Sequence, residues 1–368
     1  MKSFQSGNHE VSPKVIAIAV ASTTLGIGII TLPRTLAEAT SAGDGLLSIF
    51  IAGIVICIFA AIAAKLASRF PRQTFIQYVS QVVPKPFANV ITFLVGIYAL
   101  INVAFIVRSV GNISKMYLFA TTPIEVIMLF FLLVVIYAVF GKRIAILRLN
   151  MMFFPIILTV VMVIGVMNFR FIDAERLRPF LMSDWQGILT GAKSALFSFL
   201  GFEIVLIYVM YMKKPKQAAK ASVFGVFLVT FLYLFIYFFS IVVFGNEVIR
   251  TFVYPTIELA RHVDIPGGFF ERFESIFFTI WVMTLFNTAT MSYDIALLTF
   301  RSVFKKGKKI VYLSILSPLI ILLARVPATH VDLAKLSAIF SLYGCFIAMI
   351  VPSILFLIAK ARGVRADK

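Results

Sequence analysis

Apolar runs of about 20 residues, the length needed to cross a hydrocarbon core of roughly 30 Å, alternate along this chain with short polar and basic clusters. Reading the runs against their breakers predicts ten helical spans, at 14–38, 45–68, 87–109, 123–140, 144–167, 187–211, 220–244, 273–300, 310–326 and 335–359. Pro71, Pro84 and Pro86 precede the third span, Pro123 opens the fourth, and Lys213-Lys214-Pro215 closes the sixth. Two connections are longer than a turn requires, 168–186 and 245–272. The second carries the amphipathic stretch Tyr254–Arg261 and the turn Pro266-Gly267-Gly268. A solvated surface loop, a lid and a docking surface for a partner all suit such a segment, and we read Tyr254–Ser275 as docking surface.

Two spans are interrupted. The first contains Leu25-Gly26-Ile27-Gly28-Ile29-Ile30-Thr31-Leu32-Pro33, and the sixth contains Phe197-Ser198-Phe199-Leu200-Gly201-Phe202-Glu203. Glycine in a helix interior costs about 1 kcal/mol and proline about 3. Within a bilayer, freed backbone groups persist only where they are buried in protein or line a cavity. Interrupted helices in corresponding halves point to a small-solute site near the bilayer midplane. Thr23, Thr24, Thr31 and Pro33 crowd the first break. The alternative for Gly26, Gly28 and Gly201 is a packing notch between helices.

Composition fits a membrane chain and changes the meaning of the charge. Of 368 residues 61% are hydrophobic and the mean hydropathy is +1.01, against roughly 45–50% apolar for soluble domains. The net charge is +18 with only 14% of residues charged. Because most of the 34 lysines and arginines fall in alternate connections, with both tails, the excess sets orientation rather than nucleic-acid binding. Both termini are predicted cytoplasmic, as an even number of spans requires. The first span is too long for a secretory signal, contains Pro33 and lacks a small-residue cleavage site.

Glu203 is the clearest carboxylate inside a span, a position that is functional by default, with a helix-pairing role as the alternative. Tyr98, Asn102 and Phe105 share one face of the third span, as do Thr284, Asn287, Thr288 and Met291 on the eighth. Such groups either contact a solute or bond across a helix interface. Asp294 near the cytoplasmic end is read as paired with nearby basic residues. Cys57 and Cys345 lie in apolar runs as packing residues, and no metal or cofactor spacing occurs. His9, His262 and His330 fall in loops or a terminus, and the hydrolase and nucleotide-binding motifs are missing, so no enzyme is predicted.

Gly26-Ile27-Gly28-Ile29 with Leu32-Pro33-Arg34, together with Phe199–Glu203, resembles the amino acid/polyamine/organocation transporter superfamily. More narrowly, the whole chain resembles the B subunit of spore germinant receptors, the spore germination permease family. The closer likeness rests on Leu32-Pro33-Arg34, Tyr254-Pro255-Thr256-Ile257-Glu258-Leu259 and Ile265–Phe277, with the span holding Trp281. The resemblance implies an all-α membrane protein with a LeuT-like fold. Ten transmembrane helices would form a single domain of two inverted five-helix repeats, about 14–167 and 187–359, with the first and sixth helices discontinuous.

It further implies a subunit that senses a small nutrient, such as an amino acid, and signals through a larger A membrane subunit and a C lipoprotein in the spore inner membrane. The ligand would be flanked by Gly26, Gly28 and Leu200, Gly201, Phe202 and Glu203, with Tyr98, Asn102 and Thr288 as neighbours, beside Thr24 and Thr31. A secondary amino acid transporter and a water or ion path are the rival readings. The fifth span, Ile144–Met167, offers no lysine to replace a sodium ion.

Overall fold

The computed structural model describes residues 10–178, 183–263, 273–305, 307–327 and 330–365. Every predicted span is helical there. The first span is split into α1 (Pro13–Leu25) and α2 (Gly28–Ala39). Next come α3 (Asp44–Ser68), a short α4 (Phe75–Val82), α5 (Lys85–Tyr117), α6 (Ile124–Phe140) and α7 (Arg143–Asn168). The sixth span holds α8 (Trp185–Ser198), a 3₁₀ turn (Phe202–Ile204) and α9 (Val205–Tyr208). Then follow α10 (Ala218–Phe244), two short helices α11 (Asn246–Thr251) and α12 (Pro255–Arg261), α13 (Phe273–Phe304) and α14 (Lys309–Arg325). The last span runs from α15 (His330–Cys345) through a π turn (Phe346–Ile350) into α16 (Val351–Ala361).

Among the described residues six helices are long and apolar enough to cross a membrane, or up to eight if each of the two bent pairs is one span. The 17-residue α6 and α14 stand at the fourth and ninth predicted spans. Helix starts follow local chemistry. Pro13, whose missing N–H is no loss in a first turn, opens α1. Thr74 and Gln77 form a capping box on α4. The Asp184 carboxylate accepts from the Gly187 N–H at 2.7 Å to begin α8.

Helix packing is set by small residues, since apolar side chains gain little by leaving lipid for protein. On α3, Phe50, Ile54 and Ile58 face outward, whereas Ala52, Ile56, Ala60 and Ala63 are buried. A Cβ on Gly53 would stand 2.6 Å from Thr230, and one on Gly225 would stand 2.5 Å from the Ala17 carbonyl. Backbones of α1, α3 and α10 therefore approach closely around the first broken helix. The Val11 N–H donates to Tyr211 O and the Lys213 N–H to Val11 O, tying the N-terminal segment to the end of the sixth span.

The described part of the second long connection folds back onto the chain. Pro255, Thr256, Ile257, Leu259 and Ala260 of α12 are buried, and Glu258 accepts from the Tyr117 hydroxyl at 2.9 Å and pairs with Arg261. One contact has a clear cause. Pro33 sits inside α2 and has no N–H for the Ile29 carbonyl four residues back. The Thr256 hydroxyl donates to that carbonyl at 2.7 Å. Residues 264–272 of the segment predicted as docking surface, with the Pro266-Gly267-Gly268 turn, lie outside the described residues.

Candidate functional site

Gly26 ends α1 at φ +25°, and the chain bends by 53° into α2. Gly201 lies at φ +125° between α8 and the 3₁₀ turn, where the bend is 48°. L-residues rarely adopt either conformation, so glycine is required at both. Only the second is also crowded. A Cβ on Gly201 would lie 2.6 Å from the Thr23 carbonyl oxygen and 2.8 Å from the Thr24 nitrogen, whereas one on Gly26 would find its nearest atom at 3.6 Å. The two breaks thus meet backbone to backbone.

Hydroxyls from other helices serve the carbonyls that the breaks release. Tyr233 of α10 places its hydroxyl 2.7 Å from Ser198 O, 3.0 Å from Thr24 O and 3.2 Å from Leu25 O. The Thr288 hydroxyl of α13 lies 3.4 Å from Thr23 O, 3.5 Å from Ser22 O and 3.2 Å from Thr284 O. Asn287 donates to the Ser22 hydroxyl at 3.0 Å.

The second break also holds a carboxylate. Glu203 is 8% exposed; its Oε2 accepts from the Gly201 N–H at 2.7 Å and its Oε1 from the Tyr98 hydroxyl at 2.9 Å. It therefore closes its own turn and ties it to α5. Between these groups is a cavity with about 20 Å³ open to the centre of a water, close to the roughly 10–15 Å³ that one water requires. The site is closed in this conformation.

Tyr98, Gly201, Glu203 and Thr288 line the cavity together. Asn102 stands one step back, donating to the lining Ser292 at 3.0 Å. Gly26 borders Thr288, and Gly28 packs instead against Tyr233 and Ser198, as a notch would. Leu200 turns toward Gly344 of the last span. Phe202 is fully buried outside the lining, and the Thr24 hydroxyl is buried with no partner among the described residues. Thr31 bonds back to Ile27 O at 3.3 Å on α2, away from the cavity. Thr23 also lines it, and most of the remaining wall was not singled out in the sequence, including Val95, Leu206, Ile207, Ser292, Ile295 and Ile347. Ile347 belongs to the π turn, a distortion that often accompanies functional sites.

Farther along α13, Asp294 is fully buried. Arg143 Nε lies 2.9 Å from both its oxygens and the Tyr208 hydroxyl donates at 2.9 Å. Beyond the first break, α2 is held by Thr256 and by Arg250, whose Nε donates to Ala37 O at 2.6 Å. Among the described residues, no group of three or more His, Cys, Asp or Glu could hold a metal ion.

Comparison with known proteins agrees with this architecture. Residues 10–333 match the sequence profile of a family described as "Spore germination protein". The chain is 35% identical to spore germination protein GerLB of Bacillus cereus, across 95% of this chain and 92% of GerLB. Identity to YndE of Bacillus subtilis strain 168 is 33%, across 97% and 98%. The crystal structure of MhsT in complex with L-phenylalanine superposes with a TM-score of 0.75 over 98% of this chain and 91% of MhsT, at 15% identity. The fold is therefore LeuT-like, with the first and sixth helices discontinuous.

Proposed function

The chain belongs to the spore germination protein family, and from that premise we propose that it is the nutrient-sensing membrane subunit of a germinant receptor. Its ligand site is the junction of the two broken helices. The observation that carries this reading is the meeting of Gly201 with the Thr23 backbone beside a buried, hydrogen-bonded Glu203. Freed backbone, a carboxylate and an apolar wall converge there, which is the equipment for holding a small polar solute away from water.

A small amino acid or similar nutrient suits that equipment, and the L-phenylalanine in the MhsT structure supports the class. The family supports action with a larger A membrane subunit and a C lipoprotein, in the spore inner membrane with both termini cytoplasmic. We read the chain as one transmembrane domain. The cavity is too small for an amino acid, so binding must select a more open state. A ligand shifts such an equilibrium only by its differential affinity, about 5.5 kcal/mol for a near-complete switch.

The same broken helices would serve a secondary amino acid transporter. Purified protein in proteoliposomes separates the readings: saturable binding of a labelled nutrient without accumulation fits the sensor. Gradient-coupled accumulation would replace it with the transporter.

A further inference from the structure

The carboxylate of Glu203 faces the cavity between the breaks, and its hydrogen-bond partners among the described residues are neutral: the Gly201 N–H and the Tyr98 hydroxyl. No lysine, arginine or histidine among the described residues is paired with it. An ionised carboxylate offers about four acceptor positions, so about two stay open here. A charge buried at bilayer depth is ordinarily matched by a partner or by function.

The rest of the polar wall has the same bias toward acceptors. The Thr23 carbonyl belongs to the C-terminal end of α1, where carbonyls collect partial negative charge. Thr288 directs its hydroxyl toward main-chain carbonyls, and Ser292 accepts from Asn102. Of the donors at the cavity, the Gly201 N–H and Tyr98 O–H are already occupied by Glu203, and the Ser292 O–H alone is left to donate among the described residues. An incoming carboxylate would meet a like charge and find those two donors taken. An incoming ammonium would meet a carboxylate, a carbonyl and aliphatic side chains from Val95, Ile204, Ile207 and Ile295.

We propose that Glu203 is the counter-charge for a primary ammonium group. The site then takes small apolar amines and amino acids by their nitrogen end, and the carboxylate of an amino acid contributes little to binding. This inference rests on the germinant-site reading above and deepens it to a ligand class.

The test uses two probe trios on the full chain in nanodiscs: L-alanine, ethylamine and propionate; then L-phenylalanine, phenethylamine and 3-phenylpropionate. In at least one trio the amine should bind within about tenfold of the amino acid and the acid at least a hundredfold more weakly. Glu203→Gln should weaken amine and amino acid together by at least thirtyfold. An acid that binds as well as its amino acid overturns the proposal, as does an amine whose affinity Glu203→Gln leaves unchanged. So does failure of all six probes to bind the wild type. The wild-type trios decide the matter by themselves if Glu203→Gln does not reach the membrane. Gly201→Leu, which fills the junction, separates this inference from its premise. Binding lost in Gly201→Leu but kept in Glu203→Gln sinks only the ammonium assignment. Binding kept in Gly201→Leu removes the junction as the site.

Discussion

The two half-helices that leave the junction are held by different chemistry. Helix α2, on the side predicted as outer, is fixed through main-chain carbonyls: Ile29 O by Thr256 and Ala37 O by Arg250. The half-helix on the side predicted as inner is fixed by a charge, since Tyr208 binds Asp294 and Asp294 binds Arg143. Bonds to carbonyls can be exchanged one at a time for water. A buried ion pair cannot be opened without stranding a charge, which is much costlier. The outer hold is therefore the softer of the two.

Arg143→Ala sets the upper end of this difference. It leaves Asp294 buried with only the Tyr208 hydroxyl and should cost about 3–5 kcal/mol, read as a large drop in thermal midpoint of the purified protein. The double variant with Asp294→Asn should recover most of that loss, because no charge is then stranded. Failure to recover would mean that packing, not charge, fixes the inner half.

The breaks themselves differ next. Gly201→Ala combines a forbidden φ with a clash against backbone and should cost about 3 kcal/mol or more. Gly26→Ala carries the φ cost alone, about 1–2 kcal/mol. Equal midpoints for the two variants would contradict the backbone contact at Gly201. Smaller again, Thr256→Val removes the donor to Ile29 O and should cost about 1 kcal/mol. A loss matching Arg143→Ala would erase the distinction between outer and inner holds.

The smallest effect is one of pH. His262 packs against Phe171 and Phe244, 3.2 Å from the Asn168 amide oxygen. Burial first, then Arg170 and Arg176, lowers its pKa below the ordinary 6.5. The unfolded chain then binds the proton more readily. The stabilising effect of a neutral His262 is full above the unfolded value of about 6.5 and is lost as pH falls through it toward the lower folded value. Between pH 7.5 and 5.5 the midpoint should fall slightly, and less in His262→Gln.

The breaks were legible because two glycines and a proline crowd one apolar run and a glycine stands beside a carboxylate in the other, although a lone glycine in a span can equally be a packing notch, as Gly28, Gly53 and Gly225 are. Glu203 was legible because a carboxylate stands out among apolar residues. Helices stand at all ten predicted spans, placed by apolar length alone, and among the described residues six to eight of them are long and apolar enough to cross a membrane. Facing was not legible. In a chain with 39 phenylalanines and 12 tyrosines, a span is apolar on every side. Nothing in its period separates Tyr233, which serves both breaks, from a lipid-facing ring. The same blindness hid Ile295 and Ile347. Pro33 was read as part of the first break. Its consequence lies one turn farther out, where the carbonyl it frees becomes the attachment for α12, and no local pattern pairs residue 29 with residue 256. Asp294 was expected to pair with a basic residue, and Arg143 is that residue.

Tyr233 has one hydroxyl proton and three carbonyl oxygens within reach, two on the first broken helix and one on the sixth. A phenol donates one hydrogen at a time. The junction is thus a three-way degeneracy: a turn of the hydroxyl about its own bond moves the proton from one helix end to another while every heavy atom stays still. Each arrangement leaves the other carbonyls wanting. The seam between the two halves of the protein is frustrated by construction, and a frustrated seam is where a modest push from a bound solute has the least resistance to overcome.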